Sequence, residues 1–307
     1  MTDTSPAAIA TSGLRFSYGD IVALDGIDLE VPRGRIGLVG ANGAGKTTLL
    51  KVLLGVLTPA AGAVSVLGHG LAGGAIDVRS RVGWMPERDC LPDDQTAADF
   101  MVYAAELGGL PTRAARQRAS DVLGLVGLHE ERFRYMGEFS TGMRQRAKLA
   151  QAIVHDPELV LLDEPTAGLD PEGREEMLDL ITRLAGFGIN SLTSSHVLTD
   201  IEHTCEWVVM LDGGRVLRSG PLTDFSTAGE AELEVIGDPE ATEAAARRLG
   251  AEVRREARSL VISHEDLDPF EVARDAVVEA GASIKRLGVR RTTLEDVFLV
   301  EGSGAHG

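Results

Sequence analysis

The feature that most constrains this chain is the octapeptide Gly40-Ala41-Asn42-Gly43-Ala44-Gly45-Lys46-Thr47, set between the apolar run Ile36-Gly37-Leu38-Val39 and a helix-patterned segment from Lys46 to Leu54. It fits the pattern G-x-x-x-x-G-K-[ST], which needs a strand before it and a helix after it. Glycines let successive backbone N–H groups point into one concavity, and the helix N-terminus adds partial positive charge, so a polyphosphate can replace water there. Lys46 would reach the β/γ-phosphates and the Thr47 hydroxyl would bind Mg²⁺. The chain has only four lysines among its 30 basic residues, so a lysine at this point is not expected from composition.

A second element adds carboxylates. Leu159-Val160-Leu161-Leu162 is a short continuous apolar run, suited to a parallel strand covered on both faces, and Asp163 and Glu164 follow at once. In an open α/β sheet ligands bind outside the carboxyl ends of the strands, so both acids are delivered where a ligand would sit. An acidic loop after a strand is the plain alternative. A third element, Ser140-Thr141-Gly142, opens a helix running through Arg144, Gln145, Arg146, Leu149 and Ile153. Ser140 is a suitable N-cap and Gly142 leaves backbone amides bare, which makes a second anion-binding helix start, or else an ordinary capped helix. Two phosphate-binding ends too far apart to share a ligand can close two sites only by head-to-tail pairing with a second copy or a homologue.

With these residues in place the chain resembles the nucleotide-binding domain of ATP-binding cassette (ABC) transporters, over roughly residues 8 to 222 and in the family's order. The resemblance implies a P-loop NTPase of α/β class: a mixed-sheet core, an antiparallel β subdomain, and a helical subdomain at about 90–140. It places Tyr18 on the adenine, and makes Gly40 to Thr48 the Walker A loop, with Gly40, Asn42, Gly43, Ala44, Gly45, Lys46, Thr47 and Thr48 around the phosphates. Glu87, in Gly83-Trp84-Met85-Pro86-Glu87, stands where the family has its Q-loop glutamine. Ser140-Thr141-Gly142-Met143 is similar to the signature LSGGQ, Asp163 and Glu164 to the Walker B acid and catalytic base, Ala167-Gly168-Leu169-Asp170 to the D-loop, and His196 to the switch histidine.

The implied cofactors are ATP and Mg²⁺, the metal held by Thr47, Glu87 and Asp163. Glu164 would polarise the attacking water, His196 would contact the γ-phosphate, and Asp170 would meet the partner's Walker A region. Three positions depart from the family: Glu87 replaces a glutamine and adds negative charge beside a triphosphate, Thr141 replaces a glycine, and Met143 removes a polar contact. The helix start keeps Ser140 and Gly142, which implies retained but differently tuned hydrolysis.

Length and charge agree with a two-domain protein. At 307 residues and 44% hydrophobic the chain can bury a large core. No run of 18 uncharged apolar residues and no leader pattern is present, so the expectation is a cytoplasmic protein, and the resemblance implies that it lies peripheral to the inner face of the membrane through a permease. Cys90 and Cys205 lack metal or CxxC spacing and read as free thiols. A net charge of −17 argues against a nucleic-acid surface. From Thr96 to Tyr135 the pattern is helical, broken at Pro111, and resembles the family's subdomain that meets the membrane subunit. An exposed apolar groove beside Trp84, Met85 and Leu91 would receive a cytoplasmic helix of the permease, although core packing is the plainer role for any single one of them.

After Gly220-Pro221 the pattern reads strand, helix, strand, strand, helix, strand: the βαββαβ order of a ferredoxin-like α+β unit, expected over 228–301 with a final capped helix from Thr292 to Val300. The ending Thr293-Leu294-Glu295-Asp296-Val297-Phe298-Leu299 resembles the C-terminal extension of ABC-2-type exporter ATPases. The resemblance implies an energy-coupling ATPase that pairs with a second ABC subunit and drives a separately encoded permease. The alternative is a soluble ABC ATPase acting on the ribosome or DNA, although neither a second cassette nor a coiled-coil or zinc insertion is present. A nucleotide module without hydrolysis is disfavoured by intact Lys46, Asp163, Glu164 and His196.

Overall fold

A computed structural model describes residues 7–225, 230–256, 258–264 and 267–290. The chain divides between Leu222 and Thr223 into two compact units. The first unit begins with β1 (Ile9–Tyr18), β2 (Ile21–Val31), β3 (Arg35–Val39), α1 (Lys46–Leu53), β4 (Ala61–Val66), β5 (His69–Gly70), α2 (Leu71–Arg81) and β6 (Val82–Met85). It continues with α3 (Ala97–Leu107), α4 (Thr112–Leu125), α5 (Thr141–Ile153), β7 (Leu159–Asp163), α6 (Pro171–Leu184), β8 (Asn190–Ser195), α7 (Leu198–Thr204), β9 (Trp207–Asp212) and β10 (Arg215–Pro221).

These strands form an antiparallel sheet ordered β2-β1-β4-β5 and a six-stranded sheet ordered β10-β9-β3-β8-β7-β6. The second sheet is parallel except for β10, which runs antiparallel to β9. Strand β7 shows why its sequence is uniformly apolar. Leu159 and Leu161 point into a core shared with α1 and the antiparallel sheet, through Ile9, Leu24, Ile27 and Leu50. Val160 and Leu162 point the other way, into a core built with α3, α4, α5 and α6, through Met101, Leu123, Leu149 and Ile181. A strand covered on both faces has no polar side to show.

The helical segment starts where Thr96 caps α3, its hydroxyl accepting the Asp99 N–H at 3.1 Å. It closes where Thr96 bridges to Tyr135. Of the two roles open to Trp84, Met85 and Leu91, docking groove or core, core packing holds. Met85 is 0% and Leu91 7% exposed, both inside the helical-side core, while Trp84 packs half-buried against the opposite one. The reason is the pleat: β6 is an edge strand by hydrogen bonding yet covered on both faces, so consecutive side chains enter different cores. The apolar side chains that the helical segment does expose are Tyr103, Leu107, Phe133 and Tyr135.

The second unit comprises β11 (Glu230–Ile236), α8 (Pro239–Arg248), β12 (Glu252–Glu256), β13 (Ser259–Ser263), α9 (Pro269–Glu279) and β14 (Ser283–Arg290). Its strands are all antiparallel in the order β12-β13-β11-β14, which is the ferredoxin-like arrangement. Both helices start alike, with Asp238 before Pro239 accepting the Glu240 and Ala241 N–H groups and Asp268 before Pro269 accepting the Phe270 N–H. One face of the sheet and both helices share a small core including Leu233, Ala245, Ile262, Val272 and Ala276. The expected helix from Thr292 to Val300 lies outside the described residues.

Candidate nucleotide site

The loop between β3 and α1 is shaped by its glycines. Gly45, at the N-cap of α1, has φ +104°, and a Cβ there would sit 2.7 Å from the Ala23 carbonyl oxygen. A Cβ on Gly40 would press into the Leu211 carbonyl oxygen. The loop curls over Lys46, whose Nζ donates to the Gly40 carbonyl at 2.6 Å and lies 3.4 Å from Glu164 Oε1. Both side chains of this ion pair are almost fully enclosed. A phosphate entering the cradle competes with Gly40 and Glu164 for the same ammonium.

The acids arrive at the C-terminal end of β7. Asp163 is buried, and its Oδ2 accepts the Thr47 hydroxyl at 2.8 Å. Glu164 adopts the left-handed region at φ +49°, its N–H held by the Ser194 carbonyl at 3.2 Å and the Ser194 hydroxyl at 3.1 Å. That twist turns its carboxylate into the cleft, where Oε2 lies 2.9 Å from His196 Nδ1. Glu164 is thus bracketed by Lys46 on one oxygen and His196 on the other.

Tyr18, Asn42, Gly43, Gly45, Lys46, Thr47, Thr48, Glu87, Glu164 and His196 line one cleft of about 510 Å³. Gly40 and Ala44 belong to the same loop without lining the cleft, and Asp163 is hydrogen-bonded to its Thr47. Tyr18, Ile21 and Val22 give one end an exposed apolar wall. The Tyr18 ring is held edge-on by Phe16, with ring centroids 4.9 Å apart, and offers a flat surface to a base. Ser140, Thr141, Gly142 and Asp170 lie elsewhere, in a second cleft of about 540 Å³ that shares no lining residue with the first. There Ser140 caps α5 by accepting the Met143 N–H, and Asp170 caps α6 by accepting the Gly173 N–H at 3.1 Å.

Oxygen donors beside a phosphate cradle are the chemistry that Mg²⁺ selects, since it is held by one or two carboxylates plus substrate phosphates. Thr47 and Asp163 place a hydroxyl and a carboxylate oxygen 2.8 Å apart beside the cradle, and this donor set fits the ion by its chemistry. Glu87 lines the same cleft with an exposed side chain.

Several residues that tie the site together were not singled out from the sequence. Ser194 joins the two acids. Lys148 on α5 donates to the Glu87 carbonyl at 2.9 Å, and burial pulls its ammonium below the ordinary lysine range. Gln145 donates to the Ala167 carbonyl at 3.0 Å. Arg144 clamps the segment after Glu87, reaching Asp89 at 2.6 Å, Asp93 at 2.8 Å and the Met136 carbonyl at 2.7 Å. Burial pushes the Asp89 carboxyl up, but the Leu91 amide and Arg144 outweigh it and hold the group below its usual value. Buried Asp200 accepts from Thr166 at 2.8 Å and from Arg174 at 2.7 Å, linking α7 to the segment before α6 and to α6 itself. The available signal was polarity out of place: Ser191, Thr193, Ser194 and Ser195 occupy a strand that its neighbours require to be buried.

A phosphate cradle at a strand-to-helix turn, with two acids at the end of the next strand but one, defines a P-loop nucleoside-triphosphate site. The family profile described as ABC transporter matches residues 24–167. The daunorubicin resistance ATP-binding protein DrrA3 of Streptomyces coeruleorubidus is 34% identical over 306 residues, covering 97% of this chain and 96% of that one. The Nod factor export ATP-binding protein I of Cupriavidus pinatubonensis is 33% identical over 301 residues, covering 93% and 88%. A solved ATP-binding subunit of an ABC transporter superposes with a TM-score of 0.64 at 30% identity, covering 71% of this chain and 91% of that one. The chain belongs to the ATP-binding proteins of ABC transporters, and its enzymatic activity is that of an ATPase.

Proposed function

We propose that this chain is the ATP-hydrolysing subunit of an ABC-2-type exporter, that it pairs head-to-tail with a second copy around two Mg-ATP, and that it drives a separately encoded membrane permease. The observation that carries the pairing is the division of the site: cradle and acids in one cleft, the α5 helix start and Asp170 in another with no residue in common. A second copy turned end to end would bring its α5 start and Asp170 to the first copy's triphosphate. The drug-resistance and Nod-factor-export names of the relatives support an export role. No helix among the described residues is long and apolar enough to cross a membrane, so reaching it would fall to the permease.

In this reading the triphosphate lies along the amides of Gly43, Gly45 and Lys46, with Tyr18 against the adenine. Lys46 leaves the Gly40 carbonyl for the β/γ-phosphates. Thr47 and Asp163, with Glu87 within the same cleft, would hold Mg²⁺, which would supply charge neutralisation for a loose phosphoryl-transfer transition state. Glu164 orients the attacking water and takes its proton. His196, hydrogen-bonded to Glu164, keeps that carboxylate aimed and contacts the γ-phosphate.

Replacing the base tests the roles. Glu164→Gln is expected to bind ATP within a few-fold of wild type, to lower turnover by about 100-fold or more, and to elute as an ATP-dependent dimer. Wild-type turnover in that variant rules out the assignment. Co-purification with a multi-span membrane subunit supports the transporter role, whereas sedimentation with ribosomes replaces it with a soluble one.

A further inference from the structure

Strand β8 carries one hydroxyl that reaches both acids. Ser194 is 0% exposed, its Oγ donates to Asp163 Oδ1 at 2.6 Å, and the same oxygen accepts the Glu164 N–H at 3.1 Å. An amide can only donate, so the single hydroxyl proton is committed to the carboxylate. Other hydroxyls of the strand do nothing comparable. Ser191 Oγ and Thr193 Oγ1 are buried without a hydrogen-bond partner, and Ser195 serves Val197. A hydroxyl in β8 is therefore not required by the strand itself; at position 194 it is matched to the two acids.

We propose that Ser194 is a positioning residue of the hydrolytic site, setting the Asp163 carboxylate and the Glu164 backbone with one hydroxyl. The inference rests on the roles proposed above for Asp163 and Glu164. With Oδ1 tied to Ser194, the other oxygen of Asp163 is fixed toward the Thr47 hydroxyl, its partner in the donor set that would hold the metal. The left-handed backbone of Glu164 persists only where the surroundings hold it. Two contacts to its N–H come from Ser194, one from the carbonyl and one from the hydroxyl. Removing the hydroxyl leaves the buried Asp163 carboxylate held by the Thr47 hydroxyl alone and the Glu164 N–H on the carbonyl alone. The consequence falls on metal use and turnover, not on the phosphate cradle, which Ser194 does not touch.

The test uses the full chain with Ser194→Ala, Ser194→Thr and Ser194→Val, measuring ATPase rate against Mg²⁺ concentration and binding of a fluorescent ATP analogue in EDTA. Ser194→Ala is expected to bind the analogue within about threefold of wild type, to lose about tenfold in kcat, and to need several-fold more Mg²⁺ for half-maximal rate. Thr and Val are nearly equal in volume, so rescue by Thr and not by Val separates the hydroxyl from packing even if Ala lowers stability. Wild-type kcat and Mg²⁺ midpoint in Ser194→Ala overturn the proposal, as does equal behaviour of Thr and Val. Glu164→Gln run in parallel keeps the two claims apart. If it is inactive while Ser194→Ala is normal, only the role of Ser194 falls; if it turns over normally, the reading of the site falls first.

Discussion

Cys205 and Cys90 differ only in surroundings, and their chemistry should differ accordingly. Burial pushes the Cys205 thiol up to about 12, so at pH 8 only about one thiol in 10⁴ is thiolate, the reactive form. Cys90 also has its thiol raised by burial, but its residue reaches the surface. A disulfide reagent at pH 8 is expected to label one thiol per folded chain, slowly, and the second only in denaturant. Glu87 invites a charge test. Replacing it by glutamine removes a carboxylate from the cleft wall and should tighten ATP binding by on the order of 1 kcal/mol at low salt, less at high salt, as read by calorimetric titration. Residue identity at both places was plain in the sequence. What made the thiols unequal was not, because exposure depends on what the rest of the chain lays over them.

At the scale of elements, the strands and helices that hold the site were legible where one residue type answers a local demand. The loop before α1 needs glycine at Gly45 for its positive φ and close approach, and β7 is apolar throughout because two cores meet on it. Hydrogen bonds between elements were not legible. Asp200 on α7 is almost fully buried and depends on Arg174 of α6, itself partly open to solvent. Arg174→Met should leave that carboxylate underpaired and cost about 2 kcal/mol, below the 3–5 kcal/mol typical of fully buried pairs, a loss readable as a lower urea midpoint. Ser140→Ala removes the N-cap of α5 and should cost about 1 kcal/mol. If α5 also presents its start to a partner's phosphate, the same variant loses ATP-dependent dimerisation beyond what its stability change explains.

The whole molecule consists of two units whose cores use different residues. The apolar clusters of the first draw on positions up to Val216 and the cluster of the second begins at Ala231, with buried Phe225 in none of them. A chain ended at Leu222 should therefore fold and bind a fluorescent ATP analogue within about threefold of the full chain, since no cradle residue is lost. The order of motifs along the sequence was enough to establish the family and its activity, because phosphate chemistry allows few solutions and each leaves glycine, lysine or acid at a fixed spacing. The apolar groove expected at Met85 and Leu91 shows the opposite case. Apolar residues at one place in a sequence satisfy a core and a docking surface equally well, and only the layer above them decides which.

By itself the sequence determined the cradle, the acid pair, the capped start of α5 and the βαββαβ order of the second unit, since each is enforced by backbone geometry or by periodicity within a few residues. The tertiary structure decided what depends on residues distant in sequence meeting in space. It set Ser194 between Asp163 and Glu164 across 30 positions, and Lys148 beneath Glu87 across 61. It also divided the residues of the sequence motifs between two clefts. A hydrogen bond needs its partners within about 3 Å, and no local rule brings a hydroxyl on one strand that close to the carboxylate on another; only the packing of the sheet does.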